Sequence, residues 1–259
     1  MKTLLISLIL LGTLSIAQAN DVTFTGNTPV ILQSFATEEA PVYDPAESGK
    51  EDIAIYLQLE AGVKTVPEAM DLKNQALVYV KNLEDFNYLV TLPIPSPSDA
   101  YVSAVNEFIV RNAGQFFYST SDLYWLKVLE GRVRLVPQAM ALRNISFKTS
   151  LTIYDFLYII PTTIKNPSDA YTTEIANFAA NNVARVITAD TPIASIIEVE
   201  KFVKTVNQAM TVKNAGLIAV RTKTDLLALG QFSNPNPSPA YQQAVNNFLR
   251  ANISKYPTR

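Results

Sequence analysis

Two acidic columns and one phenol column are the residues of this chain whose types and spacing could do chemistry. Glu60, Glu130 and Glu200 recur at 70-residue intervals, as do Asp85, Asp155 and Asp225, and Tyr101, Tyr171 and Tyr241. Two carboxylates in one cleft, with pKa values pushed apart, would serve a hydrolase of the glycosidase type. Each acid also has a local explanation. Asn82-x-x-Asp85, Thr152-x-x-Asp155 and Thr222-x-x-Asp225 have the spacing of a capping box with Asp in place of Glu. Glu60, Glu130 and Glu200 stand four residues before Lys64, Arg134 and Lys204, the order of a solvated i,i+4 ion pair worth about 0.2–0.5 kcal/mol.

Other chemistry is narrowed by what the chain lacks. It contains no histidine, which excludes Ser-His-Asp and Cys-His catalysis and most zinc sites. Cysteine is also absent and glycine numbers only eight, none of them in a phosphate-cradling pattern. No catalytic, cofactor-binding or metal-ligating residue is assigned, and no cofactor is expected. The formal charge of −2 lacks the basic footprint of a nucleic-acid binder or of an anionic-lipid binder.

The remaining candidates are contact residues. Met70, Met140 and Met210 share one column and could offer thioethers to an apolar ligand or fill a packing gap. Tyr101, Tyr171 and Tyr241 could stack on a ligand or bury their rings with the hydroxyl bonded to a neighbouring turn. Asn74, Asn144 and Asn214 follow the methionines by four residues on what reads as an inward face. They could stitch helices together or form a peptide-binding ladder. Asn112, Asn182 and Asn252 end another apolar stripe. Asn144-Ile-Ser146 and Asn252-Ile-Ser254 are N-glycosylation sequons; Asn252, near the chain end, is the expected acceptor, and Asn144 is expected to be unmodified.

These columns belong to an internal repeat. Residues 51–120, 121–190 and 191–259 align without a gap and are identical at thirteen columns. Each copy reads as four helices, in copy one about 52–65, 67–81, 83–91 and 99–113, with Ser98, Ser168 and Ser238 as N-caps of the last. At the copy starts, Ser121-Asp122 and Thr191-Pro192 read as an N-cap with an acid or Pro at the first helical position, and Glu51-Asp52 holds the same place in copy one. Pro67 and Pro137 predict a break between the first two helices, while Asn207 at the same column leaves a continuous helix open in copy three. The expected fold class is all-α: three tandem 70-residue helical repeats in a solenoid-like or compact pseudo-symmetric array.

Ahead of the repeats, Met1–Ala19 has a single Lys, an apolar run and Ala17-Gln-Ala19, the pattern of a cleaved secretory signal. Residues 20–50 read as an extended arm and linker. No later stretch has the length of a membrane span, so stable membrane insertion is not expected. Singular residues stand apart from the columns: Trp125 is the only tryptophan, with Ile55 and Ser195 at its column, and Phe116-Phe-Tyr118 joins copies one and two. An asymmetric site would use such residues rather than the triplicated ones.

The expected function is that of a secreted, extracellular, non-enzymatic protein, acting as a structural component or protein-interaction module. Its partner would be an extracellular protein or a further copy of itself. The alternative is a carrier of apolar small molecules or lipids, and a carboxylate-based hydrolase stands third.

Overall fold

The computed structural model describes residues 49–162 and 164–258. The expected signal peptide 1–19 and all but the last two residues of the arm 20–50 lie outside the described residues. Every regular element among the described residues is helical, with 12 α-helices. These are α1 Gly49–Gly62, α2 Val66–Ala76, α3 Leu83–Leu89, α4 Asp99–Asn112, α5 Leu123–Glu130, α6 Val136–Ile145, α7 Ile153–Ile159, α8 Asp169–Asn182, α9 Ile193–Glu200, α10 Val206–Gly216, α11 Lys223–Leu229 and α12 Pro239–Asn252. None of them is long and apolar enough to cross a membrane.

The starts follow from local chemistry. Ser168 and Ser238 accept from the amides of Tyr171 and Tyr241 at the heads of α8 and α12, filling one of the donors that a helix N-terminus leaves open. Thr152 with Asp155 and Thr222 with Asp225 close reciprocal capping boxes, and Asn82 accepts from the amide of Asp85 at 2.9 Å. Thr65 with Glu68 and Thr205 with Gln208 form two more such boxes, which explains a break that proline alone does not. In copy three Asn207 replaces the proline, yet α9 ends at Glu200 and α10 starts at Val206, because Thr205 caps the new helix.

Two expected boundaries move. Gly49 and Lys50 are helical, so the linker stops short of Lys50 and α1 begins ahead of Glu51. Ser119, two residues before the expected cap Ser121, leads a 3-10 turn whose Asp122 carboxylate accepts from the amides of Tyr118 and Ser119.

The described chain divides into two compact units. One holds residues up to Lys81 together with Tyr88–Ala104, and the other holds Asn82–Asn87 together with Val105–Arg259. In the first, Ile53, Leu57, Ala69, Leu89 and Tyr101 are buried, and the Tyr56 and Tyr79 rings meet at 5.7 Å. In the second, Phe86 stacks on Phe108 and Phe116 at 5.8 and 5.3 Å, and Phe147, Phe156 and Phe178 form a cluster with centroids 5.6–6.0 Å apart. Such pairs add about 0.5–1.5 kcal/mol beyond the area they bury.

Replacing Thr222 with Ala removes the cap of α11, a seven-residue helix with little stability of its own. A loss of about 1 kcal/mol is expected, read as a thermal midpoint lower by about 2–4 °C. An unchanged midpoint would show that the cap contributes nothing.

Candidate functional site

The invariant glutamates are not on a solvated face. Glu60, Glu130 and Glu200 are 1%, 2% and 3% exposed, and their cations come from the next helix rather than from four residues on. Lys73 Nζ lies 2.9 Å from Glu60, Arg143 Nη2 2.7 Å from Glu130, and Lys213 Nζ 2.7 Å from Glu200. Lys204, expected to pair with Glu200, instead reaches the head of α8, where its ammonium donates to Thr172 and Thr173. The expectation of surface i,i+4 pairs is therefore corrected. The three cations 13 residues after each glutamate are the residues that sequence reasoning passed over. A basic residue at all three copies of one mid-helix column was the available signal.

What draws a cation into these interiors is a set of backbone carbonyls. A helix leaves its last carbonyls without intrahelical donors, and the short helices α3, α7 and α11 end inside the packed chain. Lys73 donates to the carbonyls of Leu89 and Thr91 at 2.7 and 3.2 Å. Lys213 does the same to Leu229 and Gln231 at 2.7 and 2.8 Å. Arg143 turns Nη1 on the carbonyls of Ile159 and Ile160 and sends Nε and Nη2 to Glu130 at 3.0 and 2.7 Å. With the glutamate ion pair included, each ammonium has three oxygen neighbours for its three N–H groups.

The tyrosines complete the arrangement. Tyr101 and Tyr241 donate their hydroxyls to Glu60 and Glu200. In copy two the order changes, and the Tyr171 hydroxyl accepts from Arg143 Nη2 at 3.3 Å. All three rings are buried, which is the bonded-and-buried alternative rather than the ligand-stacking one. Each cluster thus ties the end of a first helix, the middle of a second, the C-terminus of a third and the first turn of a fourth.

Burial sets the electrostatics. It raises the carboxyls of Glu60 and Glu130 above the ordinary value, with Lys73 and Arg143 pulling the other way. Burial likewise lowers Arg143 and Lys213, opposed by their glutamates. The phenols of Tyr101 and Tyr241 are pushed far above the usual range, first by burial and then by the bond to glutamate. Buried and mutually paired, these groups hold helices together.

The other candidates lie elsewhere. Met70, Met140 and Met210 are half-buried, and Met210 packs on the cluster of Ala209, Tyr241 and Val245. Asn74, Asn144 and Asn214 are exposed, which corrects the inward placement; Asn74 donates to the carbonyl of Met70 on its own helix at 2.8 Å. Asn112, Asn182 and Asn252 close the ends of their helices by donating to Phe108, Phe178 and Phe248 carbonyls at 2.9, 2.9 and 2.8 Å. The sequons consequently exchange accessibility: Asn252 is 6% exposed with its amide engaged, whereas Asn144 faces solvent near the end of α6. Phe116 and Phe117, where copies one and two join, are buried, whereas Tyr118 is exposed.

In the first unit a small cleft is lined by Val63, Lys64, Val66, Ala69, Ile94 and Tyr101, among others. Among the described residues there is no group of three or more His, Cys, Asp or Glu able to hold a metal. Comparison with protein-family models, with curated proteins and with solved structures finds no match.

Two outcomes test the buried clusters. Lys73→Met leaves Glu60 buried without its cation and is expected to cost about 3–5 kcal/mol in denaturant unfolding, while the Glu60→Leu/Lys73→Met double variant recovers most of the loss. Equal losses in the two variants would contradict this. The second outcome concerns pH. Because Tyr101 and Tyr241 have folded-state values raised above the unfolded value of about 10, their contribution is full below that pH and is lost progressively as pH rises from there toward the raised folded-state value. Tyr101→Phe/Tyr241→Phe should therefore show a shallower loss of stability above pH 10 than the native chain, and identical slopes would contradict the assignment.

Proposed function

We propose that this chain is a secreted, non-enzymatic helical-repeat protein that acts through its surface, as an extracellular structural component or protein-interaction module. Its copies 51–120, 121–190 and 191–259 are the building blocks of that reading. The observation that carries it is the use made of the shared polar residues. Glutamate and tyrosine at identical columns, and a basic residue at a third, face inward and satisfy one another and the backbone. The shared glutamate, basic and tyrosine columns thus serve architecture rather than chemistry. The leader-like Met1–Ala19 supports export.

Carriage of an apolar molecule is the second reading, favoured by the cleft beside Tyr101. Against it, the same columns in copy three are packed: Val203, Val206 and Met210 cover the Ala209–Tyr241–Val245 cluster, and Phe232 meets Tyr241 edge-on at 5.2 Å.

The test is secretion of the full chain from a eukaryotic host, followed by N-terminal sequencing and native mass spectrometry of material from the medium. A chain beginning at Asn20 that flies as a ligand-free monomer or a defined assembly is expected. Retention in the cell with Met1 intact would overturn the secreted reading, and a lipid held at fixed stoichiometry would favour the carrier.

A further inference from the structure

The three sequence copies act as an internal control on what the fold requires. At the columns of Tyr124, Tyr154 and Tyr158, copy one has Ala54, Glu84 and Tyr88, and copy three has Ala194, Thr224 and Ala228. Folding needs no aromatic ring at the first two of these columns, and copy three dispenses with the third. Copy two nevertheless places all three rings in the open, at 55%, 62% and 44% exposure.

They form one patch across α5 and α7. Tyr154 and Tyr158 are i,i+4 neighbours on α7, and Tyr124 and Lys127 are i,i+3 neighbours on α5. Lys127 joins the helices: its ammonium sits 4.6 Å from the centre of the Tyr158 ring and donates to the Tyr158 carbonyl at 2.9 Å. Trp125, half-buried, meets Tyr124 edge-on with centroids 4.9 Å apart. Exposed aromatic clusters of this kind mark recognition surfaces.

The chemistry of the patch selects its partner. Its charges are engaged: Lys127 as described, Asp155 in the cap with Thr152, and Asp122 on the amides of Tyr118 and Ser119. No charged side chain of α5 or α7 is without a partner in the chain. The phenol hydroxyls of Tyr124, Tyr154 and Tyr158 have no hydrogen-bond partner among the described residues, and each can both donate and accept. No large aliphatic side chain is exposed on α5 or α7, so the exposed apolar surface of the patch is that of the phenol rings themselves. Apolar ring faces edged by free hydroxyls match a neutral sugar, whose ring has apolar C–H faces and hydroxyl edges. We propose that α5 and α7 carry a binding site for a neutral oligosaccharide or polysaccharide, with Tyr124, Tyr154 and Tyr158 as the stacking platform. The inference rests on the surface-acting reading above and names its partner class.

The chain supplies its own reporter, since Trp125 is its only tryptophan and borders the platform. Cellohexaose, chitohexaose and laminarihexaose are titrated separately into the mature full-length protein while Trp125 emission is followed. At least one is expected to give a saturable change. The triple variant Tyr124→Ala/Tyr154→Thr/Tyr158→Ala installs the residues of copy three. It should keep its thermal midpoint while binding at least about tenfold more weakly. Flat titrations with all three sugars, or undiminished binding by the triple variant, would overturn the site. A native oligomer that the triple variant dissociates would instead make the patch a contact between copies of the chain. A flat titration leaves the surface-acting reading standing, whereas a bound lipid or retention in the cell overturns that reading and leaves a saturable titration intact.

Discussion

A cation closed off from water is the constraint on which the rest of this structure depends. Helices of seven residues such as α3, α7 and α11 are too short to persist alone, and their last carbonyls would be costly to bury without donors. Lys73, Arg143 and Lys213 supply those donors. A buried cation in turn demands a carboxylate, and Glu60, Glu130 and Glu200 provide it at 2.7–2.9 Å. The phenols of Tyr101 and Tyr241 then take up further acceptor capacity of the carboxylate. Each group is present because the previous one would otherwise be unsatisfied.

Such clusters do not have to add much net stability. The desolvation of two ions offsets most of their attraction, and an apolar replacement of the whole set can be neutral. Their effect is to make one arrangement of four helices cheaper than its neighbours, since a slip by one residue on any helix leaves a charge or carbonyl unpaired. The difference between lysine and arginine shows how local the fit is. Arg143 spreads its planar fork over two carbonyls, a carboxylate and a phenol, so Tyr171 accepts where Tyr101 and Tyr241 donate.

The elements were largely legible in the sequence, because caps and prolines act locally. Thr152–Asp155 and Thr222–Asp225 announce α7 and α11, and the serines announce α8 and α12. The clusters were not legible, because their pairing is a matter of tertiary distance. The i,i+4 rule assigned Glu60 to Lys64, four residues away, when the partner is Lys73 on the next helix. The same lysine obscured the buried stripe of α2. Its inward residues are Ala69, Lys73 and Ala76, a helical stripe that an apolar pattern search rejects at its centre. The face read as inward instead, that of Met70 and Asn74, lies to one side of it, which is why Asn74 and its counterparts emerge in solvent. Copy-to-copy differences held further information: Tyr124 and Tyr154 stand out because the aligned columns hold Ala54 and Glu84, and Ala194 and Thr224, in the other two sequence copies.

The central claim, that the repeated glutamate, basic and tyrosine columns are consumed inside the fold, is tested most directly by NMR of the lysine side chains. In protein labelled with ¹⁵N-lysine near neutral pH, the ζ-ammonium groups of Lys73 and Lys213 should give separate, slowly exchanging signals, since both side chains have 0% exposure and are held by a carboxylate and two carbonyls. Surface lysines exchange too fast to be seen. If Lys73 and Lys213 exchanged with water as rapidly as the exposed Lys201, the buried clusters would not exist in solution and the account built on them would fall.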